Sequence, residues 1–121
     1  MKKSCLLSAL FEKQQKLQEK FKNFPFNTTK NKQEFINLNV LASFDELGEI
    51  LRETAWKNPK YIKGGWKKNQ TLNNELFKEE IIDLWHFVIN LSLASGMNSS
   101  ELYKRFCTKN KINHTRQKQG Y

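Results

Sequence analysis

Glu80-Ile81-Ile82-Asp83-Leu84-Trp85-His86-Phe87 puts carboxylates where a helix should be oily. On a helical wheel, Leu76, Glu80, Asp83, Leu84, Phe87, Leu91 and Ala94 share one arc of roughly 100°, the width of a stripe that faces a core. Glu80 lies near the centre of that arc and Asp83 beside it, whereas Glu79 faces away. A buried carboxylate without a cationic partner costs several kcal/mol or stays protonated. The stripe therefore predicts a cation, and a metal ion is the simplest one. Strand signals are weak elsewhere and the periodicity is helical nearly throughout, so the stretch also sets the fold class as all-α.

This helix is expected from about Thr71 to Ser95, with Gly96 as its C-cap. Upstream, Asn31 and Glu34 have the spacing of a capping box. The helix they open is expected to reach Trp56 or Lys57, because Pro59 holds Asn58 in extended geometry. Its expected buried arc is Ile36, Val40, Phe44, Leu47, Ile50, Leu51 and Ala55, with Glu46 and Glu49 on one flank and Glu53 nearby, acids that read as a solvated charged face unless a cation gathers them. The first helix is expected from about Ser4 to Lys22, with Leu6, Leu7, Leu10, Phe11, Leu17 and Phe21 inward. Gln14 and Gln18 fall inside the same arc. Two readings of them stand: surface amides at the stripe's edge, or a pair of amides one turn apart offered to a ligand.

Residues 58–70 form a polar loop holding Lys60, Lys63, Lys67, Lys68 and the Gly64-Gly65 pair, which permits unusual backbone angles. After Gly96, a short helix capped by Asn98 is expected to end near Thr108. Residues 109–121 read as an irregular, mobile tail that a ligand could order. The expected architecture is an antiparallel helical bundle, one all-α domain over residues 1–121 with a basic tail from 109 to 121.

Glu46-x-x-Glu49 and Glu80-x-x-Asp83 share one spacing, and residues at i and i+3 are neighbours on a helix surface. If their two helices pack antiparallel, four carboxylates converge in one groove. Such a nest suits Mg2+, a hard cation that takes oxygen ligands and bridges to phosphates, and two ions are the natural occupancy. Cys5 and Cys107 match no zinc or redox spacing, and His86 and His114 stand alone. His86 projects roughly 100° or more from Glu80 on a helix of 3.6 residues per turn, which favours a packing or substrate-facing role over ligation.

The apolar content of 38% and charged content of 27% are ordinary for a globular protein, which argues against disorder. No apolar run approaches the roughly 18–20 residues of a membrane span, so a cytoplasmic protein is expected. The net charge of +9 calls for an anionic partner. Most acids lie between Asp45 and Asp83, however, and none follows Glu101. That distribution suits a metal with a polyphosphate better than a duplex-binding face, and no stable nucleic-acid complex is expected. Lys109, Asn110, Asn113, Arg116, Gln117 and Lys118 make the tail rich in donors, and Arg116 offers a planar fork for phosphate oxygens. The tail reads either as that phosphate grip or as a solvated basic end, and the terminal Gly120-Tyr121 favours the former.

These residues together resemble the dimeric all-α dUTPases, relatives of the MazG-like nucleotide pyrophosphatases. Lys109-Asn110-x-x-Asn113-x-x-Arg116-Gln117-x-x-Gly120-Tyr121 is similar to that family's phosphate-binding C-terminal signature. Glu46-x-x-Glu49 and Glu80-x-x-Asp83-x-x-His86-Phe87 resemble its metal-binding helices. Gln14-x-x-Leu17-Gln18 resembles its base-reading segment, with Gln18 where the family typically has Asn. Ala55-Trp56-Lys57 resembles its segment after the first acidic pair. The resemblance implies a homodimer that hydrolyses dUTP and dUDP to dUMP with two Mg2+ ions held by Glu46, Glu49, Glu80 and Asp83. It further implies that Glu46 or Glu49 serves as general base and that Gln14 and Gln18 read the base. Trp56 or Phe87 would pack on base or sugar, and Lys109, Asn110, Asn113, Arg116 and Tyr121 would hold the phosphates. The alternative within the enzyme class is a MazG-like pyrophosphatase for dCTP or another noncanonical nucleotide. The alternative outside it is a basic helical module that binds nucleic acid.

Overall fold

The computed structural model describes residues 5–120, so the expected helix start at Ser4 and the aromatic Tyr121 lie outside the described residues. Among these are four helices and no strands: α1 (Leu6–Lys20), α2 (Thr29–Arg52), α3 (Asn74–Ala94) and α4 (Ser99–Lys118). The all-α expectation holds. Three helices begin where a side chain satisfies an orphan N–H of the first turn. Thr28 Oγ1 accepts from Asn31 N–H at 3.0 Å, Asn73 Oδ1 from Leu76 N–H at 3.2 Å, and Asn98 Oδ1 from Glu101 N–H at 2.8 Å. Thr28 thus takes the capping role expected of Asn31.

α2 stops at Arg52, short of Trp56, for a traceable reason. In a continuing helix Glu53 O would accept from Lys57 N–H. Here Glu53 O accepts from Asn73 N–H at 2.8 Å, and Lys57 N–H donates to Gln70 Oε1, also at 2.8 Å. Both bonds join the end of α2 to the approach of α3, which begins at Asn74 rather than Thr71. The loop between them is a closed knot. Asn58, buried, donates from Nδ2 to Lys68 O and Gln70 O and accepts at Oδ1 from Lys60 N–H. Lys57 O accepts from both Trp66 N–H and Lys67 N–H. Gly64 takes φ +83°, and Gly65 lies so close to the opposite strand of the knot that a Cβ would stand 2.6 Å from Lys57 O. Gly65→Ala should therefore destabilise the protein by about 2–4 kcal/mol, since backbone must move rather than a side-chain tip. Urea unfolding monitored by circular dichroism measures this, and a loss below the error of the fit would contradict the close approach.

The knot sets the register of α2 against α3. Asn39 meets Asn90, Glu46 comes together with Asp83, and Glu49 meets Glu80, pairs that run in opposite sequence directions. The two helices are therefore antiparallel. α1 lies along α3, with Phe11, Ile89 and Leu93 forming a small core to which Leu7, Phe24 and Leu102 add.

Two further expectations fail. The arc of α2 expected to be buried is largely at the surface: Val40, Phe44, Leu47 and Leu51 are exposed, and Phe35, Asn39 and Glu46 point inward. Apolar residues occur around much of this helix, and a wheel records their density without recording which face the chain itself covers. The tail fails in the other direction. α4 does not end at Thr108 but runs to Lys118, without Gly or Pro and with no buried residue. Lys, Arg and Gln are good helix formers, so a missing apolar stripe removes a packing signal and not the propensity.

Candidate metal and nucleotide site

Glu46 of α2 and Glu80 and Asp83 of α3 each turn one carboxylate oxygen to a common point, these atoms lying within 4.8 Å of one another. Glu46 is buried at 5% exposure, Glu80 is half-buried, and Asp83 faces the solvent side. The i, i+3 spacing of Glu80 and Asp83 and the antiparallel register of α2 bring them together, as their spacing predicts. Glu49 is not in that set of three. It stands at its edge, where a hydrogen bond with Glu80, then partial burial, then the charges of Glu80 and Asp45 raise its carboxyl above the ordinary range, against a lowering by Arg52.

Glu46 shows the cost of the arrangement. Burial, assisted by a hydrogen bond to Glu80 and by the charges of Glu49, Asp83 and Glu80, pushes its carboxyl from 4.5 up to about 8. Glu46 Oε1 and Glu80 Oε2 are buried without any hydrogen-bond partner. Orphaned carboxylate oxygens in a set of hard donors fit an oxygen-seeking divalent cation such as Mg2+, and Glu46, Glu80 and Asp83 are the residues that could hold one. Among the described residues no other His, Cys, Asp or Glu group has this geometry.

Beside the carboxylates opens a cleft of about 330 Å³ bordered by Gln14, Gln18, Glu46, Asp83, Phe87 and Asn90, with Leu17, Phe21 and His86 at its rim. Gln14 and Gln18 are each 5% exposed, so neither is a surface amide at a stripe's edge. Gln14 Nε2 donates to Asn90 Oδ1 at 2.7 Å, and Asn90 Nδ2 donates to Asn39 Oδ1 at 2.8 Å. The exposed His86 ring has Nδ1 3.0 Å from Ile82 O, borders the cleft and is not part of the carboxylate set. Phe87 borders the cleft.

Trp56 does not border this cleft. Its ring packs edge-on against Trp66 at 5.7 Å between centroids, with Lys57 Nζ over both rings, because the knot ends α2 before Trp56 and turns it away. The tail residues Lys109, Asn110, Asn113 and Arg116 stand on the exposed length of α4, which packs against α1. The sequence reading missed Asn39 and Asn90. A signal existed, since each stands seven residues from an acid of the cluster, Asn39 before Glu46 and Asn90 after Asp83, which on a helix is two turns along one face.

The fold and the cluster define a class: an all-α bundle whose carboxylates could hold a metal ion beside an amide-lined cleft. Residues 6–101 match the model of a family described as dUTPase, and the chain belongs to that family. It is 36% identical over 89 residues to a dCTP pyrophosphatase of Enterobacteria phage T4, an alignment covering 68% of this chain and 52% of that protein. A dCTP pyrophosphatase of Enterobacteria phage LZ5 is 37% identical over 61% of the chain and 46% of its own length. A DNA replication protein of phage T4 is 34% identical over 60% of the chain and 20% of its own length. The chain thus spans about half the length of the two pyrophosphatases it matches. No solved structure matches it significantly. None of the helices among the described residues is long and apolar enough to cross a membrane.

Proposed function

We propose that the protein is a Mg2+-dependent pyrophosphohydrolase that cleaves a deoxypyrimidine nucleoside triphosphate to the monophosphate and pyrophosphate. The observation that carries this reading is the pair of orphaned oxygens on Glu46, which borders the amide-lined cleft, and on Glu80 beside it in the carboxylate set. The dCTP pyrophosphatases among its relatives favour dCTP as the first substrate to test. The family description keeps dUTP, and with it dUDP, as the second.

In this reading Glu46, Glu80 and Asp83 hold the ion, with Glu49 at the edge of the set. When bound, the ion would supply positive charge to the phosphate oxygens and make a neighbouring water more acidic. Glu49 or Glu46 would orient the attacking water and take its proton as general base. Gln14 and Gln18 read the base edge and Phe87 packs on base or sugar. Lys109, Asn110, Asn113 and Arg116 contribute donors and positive charge to the phosphates. Product release from dCTP, dUTP, dUDP, dTTP and dATP, followed with Mg2+ and with a chelator, tests the proposal. Monophosphate should appear from a pyrimidine nucleotide only with the metal, and failure of folded protein to hydrolyse any of them would remove the reading.

The tail has its own test. Truncation after Thr108 removes a segment whose described residues, 109–120, are all exposed, so the melting temperature should shift by less than about 3 °C. KM should rise about tenfold if charge-assisted bonds to phosphate are lost. An unchanged KM would reduce the tail to a solvated helix.

The same reading makes the protein a homodimer. Val40, Phe44, Leu47 and Leu51 form an apolar face on α2 that its own chain leaves open, with Phe44 68% exposed, and a second copy presenting the same face would cover it. Light scattering at micromolar concentration should return twice the chain mass of 14.4 kDa. A monomer would contradict it.

A further inference from the structure

The buried amides that join α1, α3 and α2 form a chain whose direction is set at its far end. Phe35 O is a carbonyl and can only accept, so the Asn39 atom 2.8 Å from it must be the donor Nδ2. Oxygen and nitrogen of a carboxamide are alike in shape and only the network assigns them. Here that assignment propagates. Asn39 Oδ1 faces Asn90 and accepts from its Nδ2, which leaves Asn90 Oδ1 to accept from Gln14 Nε2. All three side chains are at most 5% exposed, so water does not offer alternative partners. Gln14 borders the cleft with one N–H of its Nε2 committed inward, which fixes the orientation of the carboxamide and leaves Oε1 with free acceptor capacity. Asn39 does not border the cleft and can act there only through its neighbours.

We propose that Asn39 and Asn90 are positioning residues for base selection: by holding Gln14 Nε2 they fix Gln14 Oε1 as an acceptor for the nucleotide base. The inference rests on reading the cleft as the base site. A fixed acceptor discriminates between pyrimidines whichever edge atom it meets. Opposite ring position 3 it takes the N–H of uracil and opposes the bare nitrogen of cytosine. Opposite position 4 it takes the amino group of cytosine and opposes the carbonyl of uracil. A Gln14 free to flip could offer either its oxygen or its nitrogen and would lose the distinction, because discrimination by hydrogen bonding requires a group that cannot adapt.

The test compares kcat/KM for dCTP and dUTP, with Mg2+, in the full chain and in Asn39→Ala, Asn39→Ser, Gln14→Ala and the Gln14→Ala/Asn39→Ala double variant. The wild type should prefer one nucleotide by about tenfold or more. Asn39→Ala should bring that ratio to within about threefold of unity while kcat for the better substrate changes by less than about threefold. Asn39→Ser, whose hydroxyl can donate to Phe35 O and accept from Asn90, should keep most of the preference. Adding Asn39→Ala to Gln14→Ala should leave the ratio unchanged, the signature of action through Gln14. An equal loss for both nucleotides in Asn39→Ala, with the ratio intact, overturns the inference and leaves the function standing. Absence of turnover in the wild type overturns both. Should Asn39→Ala fail to fold, side-chain amide NMR of the wild type decides instead: slow exchange of the Gln14 carboxamide protons supports the ladder, and exchange as fast as that of exposed Gln15 overturns it.

Discussion

Glu80→Gln should lower kcat/KM by roughly a thousandfold while leaving the metal-free fold intact or firmer. The glutamine has nearly the same shape, so packing against α2 is kept. It removes one negative charge from a set in which the Glu46 carboxyl is already pushed to about 8 and that of Glu49 is also raised, both partly by Glu80. It also gives the buried pair a donor, and Oε2 of Glu80 and Oε1 of Glu46 otherwise lack any partner. A charge set against its neighbours in the interior costs stability. The expected pattern is therefore opposite in the two assays: activity and Mg2+ affinity collapse, and the melting temperature of the metal-free protein holds or rises. Pyrophosphate release, Mg2+ titration calorimetry and thermal melts in chelator measure the three quantities. Retained activity would exclude Glu80 as a ligand, and a collapsed fold would mean that its carboxylate is structural.

Much of this site was legible from two facts about helices. Residues three apart share a face, which gave Glu80 with Asp83, and a carboxylate in an apolar stripe needs a reason, which singled out Glu80. The acidic pairs resemble those of the family that the chain belongs to, whose match covers residues 6–101 and stops short of the tail. What stayed hidden depends on contacts between distant residues. The end of α2 is set by Asn73 N–H capturing Glu53 O, a bond across the whole connecting loop that no local pattern announces. That early stop takes Trp56 away from the cleft. The inward face of α2 is Phe35, Asn39 and Glu46 rather than Val40, Phe44 and Leu47. A core of Phe11, Ile89 and Leu93 backed by an amide ladder can be built on few apolar residues, which leaves apolar ones elsewhere to the surface. Asn39 and Asn90 went unread because a polar residue between apolar ones is ordinarily a surface residue, and only their pairing across helices makes them interior.

Glu46 carries the second large effect, on stability as a function of pH. Its carboxyl titrates near 4.5 in an unfolded chain and at about 8 in the fold. Between those values the folded state keeps a proton that the unfolded state has released, so stability falls as pH rises through this window. The contribution is complete below the unfolded value, declines progressively, and is lost once pH exceeds the folded one. With about 1.4 kcal/mol per pKa unit the loss is roughly 2–5 kcal/mol, or on the order of 10 °C in melting temperature for a domain of this size. Glu49 shifts in the same direction and adds to it. Because the net charge is +9 and grows on acidification, general repulsion works against this trend, so the informative quantity is the difference between Glu46→Gln and wild type. That difference should be small near pH 5 and should grow in favour of the variant up to about pH 8.5, in chelator. In the proposed function Mg2+ would bind the ionised carboxylates and should reverse the trend, stabilising the wild type most at the alkaline end and the variant little. Thermal melts over that range, with and without the metal, measure both slopes. A difference that stays constant with pH would show that Glu46 is ionised in the metal-free fold and that the proton is not what holds these carboxylates together. A difference that grows with pH and closes with Mg2+ would show proton and metal exchanging at the same oxygens, which is the condition a metal-dependent general base in this groove has to meet.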